Sequence, residues 1–403
     1  MKKLLGTVGL MIFGFGLALI VAGGAITIMN YWFPYFYCYD RERGWGLDPG
    51  AEGTYGREGG SFVRINHDGF RGPDYARTKA PDTIRVAVLG DSYVEAIQVP
   101  ETLTFTAVVG RELSQCPRLK GRRVEALNFG VDGYGTAQEL ITLQRKVWAY
   151  SPDVVVLAIF LGNDIRNNSV TLEGDRCRPF FAVDGNGLKD GLKLTGPLIN
   201  SDSFRLWCAA RFGYRDARLL VLFGDAWEIL KNHRGVPTAE EPAERAINYD
   251  IYKAPTDAVW RDAWDVTERL IVAVDNEVKV HGAIFLAVTE DTGIQVWPIA
   301  NVTQRFAHHL GAPDLFYPDR RIAALGQREG FAVLTLAQPL QEYAIKNQVF
   351  LHGFSNTPPG SGHWNKIGHA EAGRLIAQRL CAMIQGGNSR DVERRGETGG
   401  KAE

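Results

Sequence analysis

Ser92 has the setting of a nucleophile. It lies in Leu89-Gly90-Asp91-Ser92-Tyr93-Val94-Glu95, directly behind the nearly continuous apolar run Ile84-Arg85-Val86-Ala87-Val88-Leu89. Such a run is expected of a strand buried on both faces of a parallel sheet. Gly90 permits a tight turn, so the Ser92 hydroxyl stands at the carboxyl end of the strand, where open α/β sheets hold their ligands. It would also lie near the positive end of the helix that follows. Taken alone, Gly-Asp-Ser is equally the sequence of an ordinary turn.

A serine hydroxyl needs a base within hydrogen-bond reach, and imidazole can exchange that proton near neutral pH. His363, in Gly360-Ser361-Gly362-His363-Trp364-Asn365-Lys366-Ile367-Gly368-His369, is the candidate. Two further loops carry donors suited to a developing oxyanion. Gly133, in Asn128-Phe129-Gly130-Val131-Asp132-Gly133-Tyr134-Gly135, offers a backbone N–H with no Cβ in the way. Asn163, in Phe160-Leu161-Gly162-Asn163-Asp164, offers an uncharged amide, and the Ser92 N–H would complete the cradle. The bland alternatives are a turn glycine at 133 and a helix-capping pair at Asn163-Asp164, with Asp164 structural. His369 reads as support for the last helix, and His308-His309 as a solvated face. No H-E-x-x-H or paired C-x-x-C occurs, so neither a metal nor another cofactor is implied.

The elements that must position these groups alternate strand and helix. Strands are expected at Ile84–Leu89, Arg123–Asn128, Asp153–Phe160, Ala283–Val288 and Phe331–Leu336. Helices are expected at Thr104–Gln115, Thr136–Trp148, Asp257–Val280, Asp319–Arg328 and Asn365–Ile384. This is an α/β pattern with a five-stranded parallel sheet. The alternation breaks over about 166–254, which reads as an insertion. It holds a hairpin signal at Asp184-Gly185-Asn186-Gly187 and a helical stretch from Ser203 to Leu222. Residues 40–80 read as an irregular, glycine-rich lead-in, 81–385 as the main domain, and 386–403 as a disordered polar tail.

Four blocks at successive strand ends, in this order, resemble the SGNH (GDSL-type) hydrolases over roughly Ile65 to Leu380. The resemblance implies a flavodoxin-like three-layer α/β/α sandwich. It also implies Ser92 as nucleophile, Gly133 and Asn163 as oxyanion donors, and His363 as general base. One departure matters. The family places an aspartate two or three residues before the histidine, to fix its tautomer, and here those positions are Ser361 and Gly360. Either another carboxylate or a backbone carbonyl orients His363, or the site is a Ser–His dyad, or it is degenerate.

Lys plus Arg number 45 against 46 Asp plus Glu, which leaves no basic excess and argues against a nucleic-acid partner. After Lys3 no charged residue appears until Asp40. Leu4–Met29 would make a helix about 39 Å long, enough for a hydrocarbon core of ~30 Å. The aromatics Tyr31, Trp32, Phe33, Tyr35, Phe36, Tyr37 and Tyr39 read as an interfacial belt. Residues 1–39 are therefore expected to be a transmembrane anchor, with a cleaved signal peptide as the alternative. The short basic start resembles a signal-anchor, which puts the rest of the chain outside the cytoplasm. In a flavodoxin-like wind the helices near Cys116 and Cys381 can share one face, so that pair, with Cys177–Cys208 as companion, is a candidate disulfide set. Buried free thiols are the alternative. The functional expectation is an anchored, extracytoplasmic serine esterase acting on an acyl ester, such as an acylated glycan or a lipid. The alternatives are an O-acyltransferase and a non-catalytic glycan-binding protein on the same scaffold.

Overall fold

The central strands alternate between two apolar faces, and each face needs its own cover. In the computed structural model, which describes residues 2–28, 36–183, 192–194, 202–213 and 247–397, helices cover both. The strands are β1 (Tyr37–Asp40), β2 (Gly44–Leu47), β3 (Glu52–Tyr55), β4 (Ser61–Arg64), β5 (Thr83–Leu89), β6 (Arg123–Asn128), β7 (Val154–Phe160), β8 (Phe181–Val183), β9 (Leu192–Leu194), β10 (Ile284–Glu290) and β11 (Ala332–Thr335). The helices are α1 (Lys2–Ile28), α2 (Ser92–Glu95), α3 (Phe105–Leu113), α4 (Thr136–Arg145), α5 (Asp164–Asn167), α6 (Asp202–Gly213), α7 (Ala258–Val280), α8 (Ala300–His309), α9 (Tyr317–Glu329), α10 (Ala337–Asn347) and α11 (Lys366–Glu397).

The main sheet is parallel, in the order β11-β10-β7-β5-β6. That is the doubly wound, flavodoxin-like order, and its switch point lies between β5 and β7. Ala87, Leu89, Val155, Leu157 and Ile159 pack on one side with α4, α7 and α9. Val86, Val88, Val154, Val156 and Ala158 pack on the other with α3, α10 and α11. The three layers follow from this period-two division of strands that are apolar throughout.

Four expectations change. Residues 40–80 are not irregular throughout: β1–β2 and β3–β4 are antiparallel hairpins, and only β4, within the alternating stretch Ser61–Asn66, is readable as a strand from sequence. Phe36, Tyr37 and Tyr39 do not form an interfacial belt. Phe36 is 1% exposed in a cluster with Trp45, Leu47, Val63 and Tyr134, and Tyr37 and Tyr39 lie in β1 against it. The helix after Ser92 is a single turn closed by Ala96 at φ +55°, so it brings little dipole. The last helix continues to Glu397, past the start of the expected polar tail. No proline interrupts it, and propagation costs only one residue's freedom per hydrogen bond gained.

The anchor stretch is helical as α1. Among the described residues, however, no helix is long and apolar enough to cross a membrane. Side chains of α1 are described without a break only over residues 9–25, so parts of Leu4–Met29, and the aromatics up to Tyr35, lie outside the described residues. The turn 184–187 and the end of the 203–222 stretch also lie outside them, although β8 and β9 do pair antiparallel.

Both candidate disulfides form. Cys116–Cys381 ties the end of α3 to α11 on one face of the sheet, and Cys177–Cys208 ties the loop before β8 to α6. Cys38 is free. The first bridge closes 265 residues of sequence. Replacing Cys116 and Cys381 by serine should therefore cost about 3–5 kcal/mol of stability, read as a drop in the thermal midpoint. Alkylation of the denatured, unreduced chain should add one label by intact mass.

Candidate active site

Asp91 and Ser92 follow β5 directly. The Asp91 carboxylate accepts a hydrogen bond from Tyr93 N at 2.9 Å, which fixes the turn and holds Ser92 at the sheet edge, 8% exposed. Loops after β6 and β7 carry Gly133 and Asn163, and these strands are the two neighbours of β5. The topology therefore sets one donor on each side of the serine.

Gly133 has φ +71°, in the region that favours glycine, and a Cβ there would lie 3.5 Å from the Trp45 ring. Trp45 Nε1 donates to Asp132 O at 2.9 Å, and Asp132 N donates to the buried carboxylate of Glu95. This loop is thus clamped from two sides, while the Gly133 N–H itself donates to no acceptor among the described residues. Asn163 occupies the N-cap position of α5 but makes no capping bond, and its Oδ1 is buried without a partner. Asp164 is structural, accepting from Phe160 N at 3.0 Å.

His363 arrives in the loop before α11. Its Nε2 lies 2.8 Å from Ser92 Oγ, and its Nδ1 lies 2.6 Å from Glu58 Oε2. Glu58 Oε1 also accepts the His363 backbone N–H at 2.7 Å. One carboxylate thus fixes both the ring and the main chain of the histidine. With Nδ1–H given to Glu58, Nε2 is the nitrogen that faces the serine hydroxyl.

The open question of what orients His363 is answered by a residue of the β3–β4 turn, 305 positions away. Asn356 holds that turn, accepting from Gly59 N at 2.9 Å and donating to Gly56 O and Gly59 O at 3.1 and 3.0 Å. The first of the expected aspartate positions is closed to one. Gly360 has φ +76°, and a Cβ there would run into the Trp297 ring, while Ser361 Oγ turns to Pro358 O at 2.9 Å. Gly362, at φ +77°, lets Glu58 approach where any Cβ would strike its Oε1.

Beneath the histidine a second buried network braces the same loop. Asp291, just past β10, accepts from Trp364 Nε1 at 3.1 Å and meets His352 Nε2 at 2.8 Å. His352 Nδ1 lies 2.7 Å from Gly362 O. Both His352 nitrogens thus lie within hydrogen-bond reach of an acceptor. Sequence reading missed Glu58, Asp291 and His352. Nothing in local spacing marks them, because each partner comes from a different segment. His369 behaves as expected, accepting from Phe105 N at 3.3 Å between α3 and α11. His308 and His309 are exposed.

Burial alone would lower the pKa of His363. The hydrogen bond and charge of Glu58, aided by Asp132 and Asp91, outweigh it and raise the pKa to about 9. Burial works against the Glu58 charge too, but the hydrogen bond and charge of His363 hold it below the usual carboxylate range. Burial pushes Asp91 up to about 7. Chemically, this is a hydroxyl, an imidazole and an orienting carboxylate in line, with candidate donors on both flanks.

No protein-family model matches the chain, and no curated protein matches it. Among solved structures, it is similar to an acetyl xylan esterase, AlAXEase, at 13% identity and TM-score 0.36, over 75% of this chain and 100% of that one. It is similar to an acetyl-xylooligosaccharide esterase variant from Geobacillus at 11% and 0.37, over 75% and 95%. A lipolytic protein of the G-D-S-L family from Desulfitobacterium hafniense gives 10% and 0.32, over 73% and 98%. Likenesses at this level carry no functional argument, and the site is read from its own geometry.

The His363 imidazole should titrate near pH 9 by NMR. In Glu58→Gln, with the raising partner gone and burial left, its midpoint should fall to the ordinary 6.5 or below. An unchanged midpoint would mean that Glu58 does not hold the ring.

Proposed function

We propose that the protein is a serine esterase of the SGNH type that cleaves acyl esters. Ser92 Oγ attacks the ester carbonyl while His363 Nε2 takes its proton. Glu58 stabilises the imidazolium and keeps Nδ1 protonated. The Gly133 N–H, the Asn163 amide and the Ser92 N–H receive the oxyanion. His363 then returns the proton to the leaving alcohol, and water, activated by the same nitrogen, resolves the acyl-enzyme. The observation that carries this reading is the unbroken line Ser92 Oγ, His363, Glu58 at 2.8 and 2.6 Å. A non-catalytic protein on this scaffold would fit a histidine with no orienting acid, and Glu58 at that ring nitrogen speaks against it.

The setting we propose is a membrane-anchored, extracytoplasmic enzyme. Two disulfides support an oxidising compartment. The exposed apolar side chains of α1, among them Leu10, Ile12, Phe13, Phe15 and Ile20, support contact with lipid. An anchored enzyme of this kind would meet acylated glycans or lipids at the membrane face, and acyl transfer to a glycan hydroxyl in place of water is the alternative outcome at the same acyl-enzyme.

The test is hydrolysis of p-nitrophenyl acetate. Ser92→Ala and His363→Ala should each lower kcat by about 10⁴-fold or more, and Asn163→Ala by roughly 10²–10³-fold. Because only neutral His363 can accept the proton, kcat/KM should rise with pH toward about 9. Turnover that survives Ser92→Ala, or no organophosphonate adduct at Ser92, would overturn the reading.

A further inference from the structure

Arg178 is a buried cation to which the described protein gives no counter-charge in contact. It is 5% exposed, and its Nε and Nη1 are buried with no hydrogen-bond partner. No ion pair or hydrogen bond to it occurs among the described residues. Its neighbours are treated differently. Arg43 is held by Asp40 at 2.6 Å, and Arg166 by Glu173 at 3.6 Å and Asn167 at 3.4 Å. A buried guanidinium left in that state is strongly disfavoured unless an acceptor comes from beyond the described residues.

Its position says which acceptor. The guanidinium carbon lies 5.0 Å from the centre of the Trp45 ring. A Cβ built at Gly133 would lie 3.5 Å from Cζ2 of that indole, and Trp45 Nε1 clamps the same loop at Asp132 O. Arg178 is therefore one aromatic ring away from the proposed oxyanion donor. It is also locked there. Cys177 is bridged to Cys208, and the Cys177 carbonyl packs so closely on Gly44, next to Trp45, that a Cβ at Gly44 could not be placed. A guanidinium whose Nε and Nη1 are buried and unpaired, on a tied backbone near that loop, is suited to a carboxylate, which it can hold by two parallel hydrogen bonds.

We infer that Arg178, with Trp45 as its floor, forms a subsite for a carboxylate carried by the substrate close to the scissile ester. The inference rests on the esterase reading for the identity of the ester. It names the substrate class as an acidic ester, either on the acyl side or on the alcohol side, as in an acylated hexuronic acid. The acidic groups that face the same region are Asp132, Asp164, Glu173 and Asp175. They set the cost that a bound carboxylate must overcome, so a neutral guest gains nothing from the fork.

The experiment has two arms and an independent binding readout. On the acyl side, kcat/KM is compared for p-nitrophenyl hemisuccinate and p-nitrophenyl butyrate. On the alcohol side, it is compared for an O-acetylated hexuronic acid and its methyl ester. The carboxylate-bearing member of one pair should be preferred by about tenfold or more, chiefly through KM. That preference should collapse in Arg178→Gln and be partly kept in Arg178→Lys. By calorimetry on the Ser92→Ala protein, glucuronate should bind and methyl glucuronate should not. Carboxylate binding without any turnover would sink the esterase reading and leave this one standing. Turnover with no charge preference in either pair, or a loss of thermal stability in both Arg178 variants with the preference intact, would mean that Arg178 is only structural, and would overturn it.

Discussion

Everything at the site depends on the grip of one carboxylate. Glu58 holds the ring of His363 at 2.6 Å and its backbone N–H at 2.7 Å. In a partly buried setting, charge-assisted bonds of this kind fix both tautomer and orientation. Each supporting feature is intelligible as a condition for that grip. Gly362 has no side chain because Glu58 fills the space, and Asn356 ties the turn that carries Glu58 to the loop that carries the histidine. The Asp291–His352 pair holds the carbonyl of Gly362 from below. The histidine is thus clamped from above and beneath by segments that share no sequence neighbourhood.

The sheet supplies the remaining geometry. Because β5 lies between β6 and β7, the loops following all three converge at the switch point, and a nucleophile there is flanked by donors without special arrangement. Under that edge lies an unusual amount of buried acid. Glu139, Asp164 and Glu290 are buried, and burial, followed by repulsion from neighbouring acids that include Asp91, raises each well above the ordinary carboxylate range. Both oxygens of Glu139 and of Glu290 lack donors. Each of these side chains therefore holds its proton more tightly than an ordinary carboxyl group does.

The five core strands were legible because strands apolar on both faces have few other homes. Ser92 and His363 were legible because each sits beside a strand end or helix start that composition marks. Glu58 was not. Its partner is 305 residues away, and its neighbours Gly56, Gly59 and Gly60 read only as turns. The belt assigned to Phe36, Tyr37 and Tyr39 went astray for a related reason. Aromatic residues after an apolar helix suit a membrane interface and a protein core equally, and only the fold shows Tyr37 donating to Glu95 at 2.9 Å. The cysteine pairing fared better, since two helices on one face of a known wind leave few ways to join.

An orienting acid on the β3–β4 turn, away from the histidine loop, changes where the domain that holds the candidate site begins. A boundary at residue 81, natural from the start of β5, would cut the carboxylate away from the histidine it orients. The lead-in has to be built on the sheet, and it is. Ile65 and Val63 are buried with Val131 and Tyr134, while Arg71 donates to the carbonyls of Glu95 and Val99 just behind the nucleophile turn. Tyr37, Trp45 and Glu58 each reach a different loop of the site. The described chain from Phe36 to β5 is therefore one wall of the site.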